Sequence, residues 1–280
     1  MKKYAFGVDI GGTTCKIGFF DTNGTLLDKW EIKTNTENNG ESILSDVAKA
    51  VDNKLAQEAI SKDDVQGIGI GVPGPVDSQG VVHRCVNLGW GVVNVAEELG
   101  NLTGLTIKVG NDANVAALGE MWQGGAKGSK DVIMVTLGTG VGGGIIVDGK
   151  VVAGFNGAGG EIGHITVNND EIEACNCGQY GCLEQYTSAT GIVRLAKRKL
   201  AKSSEETSIR EIPNLTAKDV FDAAKAGDAA ALEITEEFGA YLGQALVNLA
   251  ATVDPAVFVI GGGVSKAGDI LLETVRKYFY

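Results

Sequence analysis

A strand and turn pattern that occurs twice is the feature of this sequence that most constrains its fold. Residues 4–32 read as a strand, a glycine and threonine turn, a second strand, an Asn-Gly turn and a third strand. Residues 132–152 repeat this order, with Gly-Thr-Gly in the first turn and Asp-Gly in the second. Copies this far apart do not form a solenoid, so the repeat predicts two related α/β domains.

The length of the chain agrees with two domains. A chain of 280 residues exceeds the size that one hydrophobic core usually supports. We expect a smaller N-terminal α/β domain over residues 1–117 and a larger α/β domain over residues 118–280, which carries a cysteine-rich insertion. Helical spacing of apolar residues predicts one helix within 43–59 and a long helix over 228–252.

Charge and composition narrow the functional classes. The formal net charge of -11 argues against nucleic acid as a partner, because binding to a phosphate backbone needs clustered Lys and Arg. No apolar run reaches the roughly 18 residues of a membrane helix, and the N-terminus lacks the pattern of a secretory leader. We therefore expect a cytoplasmic protein with no membrane partner.

The cysteines indicate a metal site. The chain has five, an odd number, and three of them are bunched in one segment, a spacing that favours metal ligands in a reducing compartment over disulfides. Buried thiols are the alternative, but the glycines between the last two cysteines disfavour a core position. With one histidine the set suits a closed, structural zinc site, flanked by Glu161 and Glu184. The four expected ligands are His164, Cys175, Cys177 and Cys182.

The two glycine and threonine turns are candidate phosphate sites. Glycines let backbone N–H groups approach an anion closely, threonine adds a donor, Lys16 adds a positive charge, and Asp9 could hold Mg²⁺. The simpler interpretation of the first turn is a hairpin that needs positive φ. The second turn also fits G-x-G-x-x-G, but a strand follows it where a dinucleotide site requires a helix. The candidate turn residues are Gly11, Gly12 and Thr13 in the first copy and Gly138, Thr139 and Gly140 in the second.

Asn111 and Asp112 lie where a predicted strand ends and a predicted helix begins. Both residue types are favoured as helix N-caps, which is the simpler interpretation. The functional interpretation is a general base beside a hydrogen-bonding amide, at the carboxyl end of a strand where open α/β sheets bind ligands. Both interpretations stay open at this point.

Taken together, the motifs resemble the ROK family of sugar kinases and regulators, and most closely its bacterial ATP-dependent glucokinases. The resemblance covers nearly the whole chain, and it implies an α/β fold of two actin-like (ribonuclease-H-like) domains that flank a central cleft. It also implies a further strand and helix after Tyr280, so we expect that closing element to be missing here. The motifs are DIGGTT from Asp9, GVPGPVD from Gly71, NDAN from Asn111, LGTGVGGG from Leu137 and GGEIGH from Gly159.

The resemblance also implies roles for single residues. Asp112 would be the catalytic base, the two turns with Asp9 and Lys16 would hold the phosphates of ATP and Mg²⁺, and structural zinc would fill the cysteine cluster. A glycine run near the C-terminus would lie by the adenosine: Gly261, Gly262 and Gly263. The implied sugar-binding residues are Asn87, Asn111, Asp112, Glu161, His164 and Glu184.

The expected reaction is transfer of the γ-phosphoryl group of ATP to the 6-hydroxyl of glucose, by a homodimer. One alternative is a kinase for another hexose, such as N-acetylmannosamine, fructose, mannose or allose. A second alternative is a sugar-responsive transcriptional regulator. Such regulators carry a helix-turn-helix segment before the first repeat, whereas in this sequence the first glycine turn already begins at Asp9.

Overall fold

The structure is a computed structural model that describes residues 2–280. Internal contacts divide the chain into two compact units. The first unit comprises the described residues up to Gly124 together with Val151–Gly159, and the second comprises Gly125–Lys150 and Gly160–Tyr280. The domain boundary expected after residue 117 lies inside a helix, Asp112–Gln123, whereas the division by contacts falls after that helix.

A five-stranded sheet forms the centre of the first unit, in the order β3-β2-β1-β4-β7. The first three strands form an antiparallel meander, as the turn residues predict, and β4 and β7 add in parallel to β1. The strands of this unit are β1 (Tyr4–Ile10), β2 (Thr14–Asp21), β3 (Leu26–Lys33), β4 (Val65–Val72), β5 (Val81–Val82), β6 (Val93–Asn94) and β7 (Ile107–Asn111). The helices are α1 (Ile43–Gln57), α2 (Val95–Thr103) and α3 (Asp112–Gln123).

The second unit contains the repeat of this arrangement, with a sheet in the order β10-β9-β8-β11. Strands β8 and β9 are antiparallel, and β11 adds in parallel to β8 as β4 does to β1. The strands are β8 (Val132–Leu137), β9 (Val141–Val147), β10 (Lys150–Val151) and β11 (Val257–Gly261). The helices are α4 (Glu184–Thr187), α5 (Ala189–Lys202), α6 (Ala217–Lys225), α7 (Ala229–Val253) and α8 (Asp269–Phe279).

Each unit has its own hydrophobic core. In the first unit the apolar face of α1, including Val47 and Val51, packs with residues of the sheet such as Val8 and Ile70. In the second unit the long helix α7 contributes Phe238 and other fully buried residues. Apolar side chains at helical spacing thus form the core faces that the sequence predicts. Within residues 2–280, no helix combines the length and apolar character needed to cross a membrane.

Two helices begin where they do for clear local reasons. Helix α2 begins at Val95, because Val93 and Asn94 pair with β5 and the Asn94 side chain caps the helix at the backbone of Glu97. Helix α8 begins at Asp269. It follows Gly268, whose φ of 75° ends the short 3₁₀ turn before it.

Candidate active site

Two carboxylates lie beside Gly71 at the carboxyl edge of the first unit's sheet. Strand register pairs Asp9 of β1 with Gly71 of β4. A Cβ atom built on Gly71 would lie 3.9 Å from Oδ1 of Asp9 and 3.5 Å from Cα of Asp112. Because β1, β4 and β7 run parallel, their carboxyl ends meet here, and glycine leaves space between the two acids.

The structure divides two tasks between Asn111 and Asp112. The Asn111 side chain is the N-cap of α3, since its Oδ1 accepts hydrogen bonds from the N–H groups of Ala113 (3.0 Å) and Asn114 (3.2 Å). Its Nδ2 donates to the carbonyl of Gly74 over 3.2 Å. The neighbouring Asp112 is solvent-accessible at the first position of the helix. Because Asn111 is the cap of the helix, the carboxylate of Asp112 is not needed for that task and can have a chemical role.

The surroundings of Asp112 favour its protonated form more than water does. Loss of hydration raises the pKa of Asp112, and the negative charge of Asp9 raises it further. A hydrogen bond from the N–H of Ala113 to Oδ1 of Asp112, 2.8 Å long, acts in the opposite direction. A carboxylate with a raised pKa is a better proton acceptor, which is a property expected of a general base.

The first glycine turn is shaped by close approach and not by positive φ. The turn is a hairpin, because it joins the antiparallel strands β1 and β2. Neither Gly11 nor Gly12 is among the residues with positive φ, so only the expected need for positive φ is wrong. A Cβ atom on Gly11 would lie 3.0 Å from the carbonyl oxygen of Thr14, and one on Gly12 would lie 3.5 Å from that of Asn87. Thr34, which the sequence did not single out, donates its hydroxyl hydrogen to the carbonyl of Gly11 over 2.7 Å.

Lys16 lies beside the same turn. Its Nζ is 4.0 Å from Oδ2 of Asp9, and both side chains are mostly exposed. The exposed residues Gly12 and Thr13 complete the turn. A positive charge, a carboxylate and accessible backbone N–H groups are thus presented together within the first unit.

In the second unit, Glu184 packs against the second glycine turn. Its Oε2 accepts a hydrogen bond from the N–H of Val141 over 2.9 Å. A Cβ atom on Gly140 would lie 2.3 Å from the same oxygen, so a larger residue there requires the carboxylate or the turn to move. The turn is further fixed from the start of α5, where Thr190 donates its hydroxyl hydrogen to the carbonyl of Thr139 over 2.9 Å.

The third glycine segment lies next to this turn. Gly261 of β11 pairs with Thr136 of β8, and a Cβ atom on Gly262 would lie 2.4 Å from the carbonyl oxygen of Leu137. Gly262 has a φ of 86°. The segment Gly261–Gly263 therefore passes beside Leu137, at the start of the second glycine turn.

A cavity of about 730 Å³ opens beside Thr139 in the second unit. Arginine and lysine side chains border it, and α5 and the start of α6 supply an apolar lining. This combination suits a flat, mostly apolar group that is attached to a charged one. The apolar lining residues include Ala189, Val193, Ala201, Leu215 and Ala217.

The four expected metal ligands come together. One possible ligand atom from each of the four lies within 4.8 Å of the others, and Sγ of Cys177 is 3.6 Å from Sγ of Cys182. Tetrahedral zinc with Zn–S bonds of about 2.3 Å requires sulfurs roughly 3.8 Å apart. Nδ1 of His164 is buried without a hydrogen-bond partner, and such an atom calls for a ligand. These residues fit zinc. The set is His164, Cys175, Cys177 and Cys182.

The flanking acids lie at the edges of this cluster. Oε1 of Glu184 is 3.9 Å from Sγ of Cys175. Glu161 is exposed, and its carbonyl accepts a hydrogen bond from the N–H of His164 over 3.1 Å. The structure thus groups Glu161, His164 and Glu184 around the cysteines in the second unit. It groups Asp9, Asn111 and Asp112 at the sheet edge of the first unit, and Asn87 lies beside Gly12 of the first glycine turn.

Comparison with known proteins supports the family inferred from the motifs. The profile of the ROK family matches residues 5–280. A glucokinase from Halalkalibacterium halodurans is 46% identical over 99% of this chain and 85% of its own length. An N-acetylgalactosamine kinase from a Shewanella species is 32% identical over 95% of this chain and 83% of its own length.

Solved structures agree. A ROK family glucokinase from Streptomyces griseus, in complex with glucose and AMPPNP, is 35% identical and superposes with a TM-score of 0.78. The match covers 99% of this chain and 88% of that one. The two-domain actin-like fold class expected from the sequence is thereby confirmed. This chain belongs to the ROK family.

Proposed function

We propose that this protein is an ATP-dependent glucokinase, which transfers the γ-phosphoryl group of ATP to the 6-hydroxyl of glucose. The observation that carries the proposal is the placement of Asp9 and Asp112 on either side of Gly71. One acid is positioned beside a phosphate turn and the other at a helix start. The similarity to the glucokinase of Halalkalibacterium halodurans supports glucose as the acceptor.

Asp112 is the proposed general base. Its carboxylate accepts the proton of the sugar hydroxyl as the oxygen attacks the γ-phosphorus, and its raised pKa suits that task. Asn111 fixes the start of α3 and so fixes the direction of the Asp112 side chain. Positioning and electrostatic stabilisation carry most of the catalysis in phosphoryl transfer.

The phosphates of ATP are proposed to bind the two glycine turns. Backbone N–H groups around Gly12 and around Thr139 donate to phosphate oxygens, and Lys16 neutralises charge. Asp9, whose carboxylate is exposed at the end of β1, is the proposed holder of Mg²⁺. When bound, Mg²⁺ supplies neutralisation of the phosphate charge. The adenine base is proposed to enter the cavity beside Thr139, with Gly261–Gly263 alongside.

The sugar is proposed to be recognised by polar groups that are half-buried or exposed before it binds. A carboxylate or amide that loses its sugar hydroxyl partner is left unpaired, and this penalty gives strong discrimination between sugars. Structural zinc would hold the cysteine cluster and fix the ring of His164 from its other side. The proposed sugar ligands are Asn87, Asn111, Asp112, Glu161, His164 and Glu184.

A coupled assay of ADP formation with a panel of hexoses tests the proposal. We expect ATP consumption only when sugar is present, and the highest kcat/KM with glucose. N-acetylmannosamine, fructose, mannose, allose and N-acetylgalactosamine complete the panel. A higher kcat/KM with one of them would replace glucose as the substrate, and no sugar-dependent consumption at all would favour a sugar-responsive regulator.

A kinase for another hexose is the second candidate. The observation that favours it is the similarity to an N-acetylgalactosamine kinase, which covers nearly the whole chain.

The proposed cytoplasmic location rests on three clustered thiols that need a reducing compartment to bind metal. The homodimer expected from the family stays a prediction, which the molar mass in solution would test.

A further inference from the structure

A buried carboxylate, Glu171, is the centre of a charged cluster in the second unit, and none of the proposed roles uses Glu171 itself. Its partners Arg194 and Arg198 also line the cavity beside Thr139. Only 1% of the Glu171 side chain is exposed. The guanidinium of Arg198 binds it with two hydrogen bonds, of 2.9 Å to Oε2 and 2.8 Å to Oε1. The hydroxyl of Tyr186 donates to Oε2 over 2.5 Å. Nη2 of Arg194 lies 2.7 Å from Oε2 as an ion pair, without the angle of a good hydrogen bond.

Glu171 is a permanent anion in these surroundings. The hydrogen bonds from Arg198 hold the pKa of Glu171 well below its usual range, and this outweighs the effect of burial. Burial and the hydrogen bond to Glu171 raise the pKa of Tyr186 to about 12, so the phenol keeps its proton. The cluster therefore joins helix α5, which carries the two arginines, to the segment just before Cys175 by ionic contacts.

Both backbone polar groups of Glu173 are hydrogen-bonded, one to Glu171 and the other to Gln185. The N–H of Glu173 donates to Oε1 of Glu171 over 2.9 Å. Its carbonyl accepts from Nε2 of Gln185 over 2.9 Å. Oε1 of Gln185 in turn accepts from the N–H of Cys182 over 3.0 Å. The chain is thus fixed two residues before Cys175, and the same amide that fixes it also orients Cys182.

The metal-binding segment has little regular structure that could replace these contacts. Between β10 and α4 the structure shows only a 3₁₀ turn at Ile162–His164 and two isolated β-bridges, Thr166 with Cys182 and Ala174 with Tyr180. Side chains that hold ligands in place before the metal arrives reduce the ordering cost of binding. Glu171 is the buried charge through which α5 supplies this support.

We propose that Glu171 is a positioning residue that holds Cys175 and Cys182 in their coordination geometry and so controls how tightly the protein retains zinc. This rests on the zinc site proposed above. The Glu171 carboxylate accepts a hydrogen bond from the backbone N–H of Glu173, and the carbonyl of Glu173 accepts one from Gln185. Glu171 acts on the two cysteines through these contacts and does not itself bind the metal. Glu184 follows Cys182 by two residues, so the same contacts also set the position of a proposed sugar ligand.

The test is the rate at which zinc passes from the purified, zinc-loaded full chain to a chromogenic chelator. In Glu171→Gln, an amide N–H₂ faces the donors of Tyr186 and Arg198, so the hydrogen bonds that fix the segment are lost. We expect zinc transfer to be about tenfold faster or more, because the loss of groups that orient metal ligands usually weakens metal binding by such a factor. Arg198→Lys keeps the charge but loses the two-pronged contact, and we expect an intermediate rate. Glu171→Asp keeps the anion, and we expect partial rescue.

Two controls separate positioning from general stability. Glu173→Gln removes a mostly exposed carboxylate that binds the same two arginines, and we expect its transfer rate to stay within about twofold of the unmodified rate. Phe238→Leu weakens the core of the same unit, where Phe238 packs edge-on against Phe221. It lowers Tm without changing any residue of the charged cluster or of the metal segment. We expect it to leave the transfer rate unchanged.

The outcomes are distinct. Equal transfer rates in Glu171→Gln and Phe238→Leu would overturn the proposal, and if Glu171→Gln fails to fold, an unchanged rate in Arg198→Lys would do so. Zinc content of the unmodified protein is measured first, and a zinc-free protein would remove the metal site and with it the role of Glu171. The kinetic signature expected of Glu171→Gln is a raised KM for glucose. Retained sugar-dependent ATP consumption with normal zinc transfer would leave the kinase intact and reject only the role of Glu171.

Discussion

The carboxylate of Glu184 accepts a hydrogen bond from the backbone N–H of Val141, 2.9 Å away. This contact joins a proposed sugar ligand to the strand that leaves the second glycine turn. The other oxygen of Glu184 lies 3.9 Å from Sγ of Cys175. Within the second unit, the cysteine cluster, Glu184 and the second glycine turn are therefore one connected set of contacts.

Gly140→Ala tests this connection. The new Cβ atom would lie 2.3 Å from Oε2 of Glu184, so either the turn or the carboxylate must move. Overpacking of this kind costs about 1–3 kcal/mol, and we expect kcat/KM to fall by about tenfold, with the KM values for glucose and for ATP both raised.

Gly119→Ala is the matched control for that change. Gly119 lies in helix α3, and a Cβ atom there would meet nothing within 4 Å. We expect unchanged kinetics and a stability gain of about 0.5–1 kcal/mol, because alanine is the better helix residue. If Gly140→Ala raised only the KM for ATP, Glu184 would not connect the two substrates.

The pH profile of kcat/KM tests the charge state of Asp112. Partial loss of hydration first, and then the charge of Asp9, raise the pKa of Asp112 above its ordinary value of 3.8. A general base works only when deprotonated, so activity should be lost as the pH falls through this raised pKa. In Asp9→Asn, the loss of a neighbouring negative charge should lower the pKa of Asp112. The pH profile of this variant is measured on the activity that it retains. The acid limb of the profile should then move to lower pH, and a limb that stays in place would argue against coupling of the two acids.

Zinc removal tests the role of the cysteine cluster. After dialysis against a chelator, or in Cys177→Ala, we expect the metal to be absent and the KM for glucose to rise by about tenfold or more. Addition of zinc to the dialysed protein should restore the original KM, whereas Cys177→Ala should not respond. A zinc-free protein with normal affinity for glucose would assign the cluster a purely structural role.

The sequence predicted the local features well because their signals are local. Asn23-Gly24 and Asp148-Gly149 mark hairpin turns by residue type alone, so the repeated meander could be read directly. The cysteine spacing predicted the cluster that forms in the second unit. Asn111 and Asp112 remained ambiguous, because either could be a cap until the structure assigned that task to Asn111.

Contacts between distant residues were beyond the reach of the sequence pattern. Thr34 binds Gly11 across 23 positions, and Glu184 binds Val141 across 43. No periodicity or motif marks Glu171, whose partners Arg194 and Arg198 follow on a helix that reads as an ordinary charged surface. The need for glycine at positions 11 and 140 was visible, but its reason, close approach by other groups, required the fold.

Sugar-dependent ATP consumption by the unmodified protein and by Asp112→Asn tests the central claim most directly. At saturating ATP and glucose, we expect the unmodified protein to form one ADP for each glucose 6-phosphate. We expect Asp112→Asn to lose about 10²- to 10⁴-fold in kcat while calorimetry shows glucose binding largely retained. A near-normal kcat in Asp112→Asn, or ADP formation that does not depend on glucose, would contradict the account.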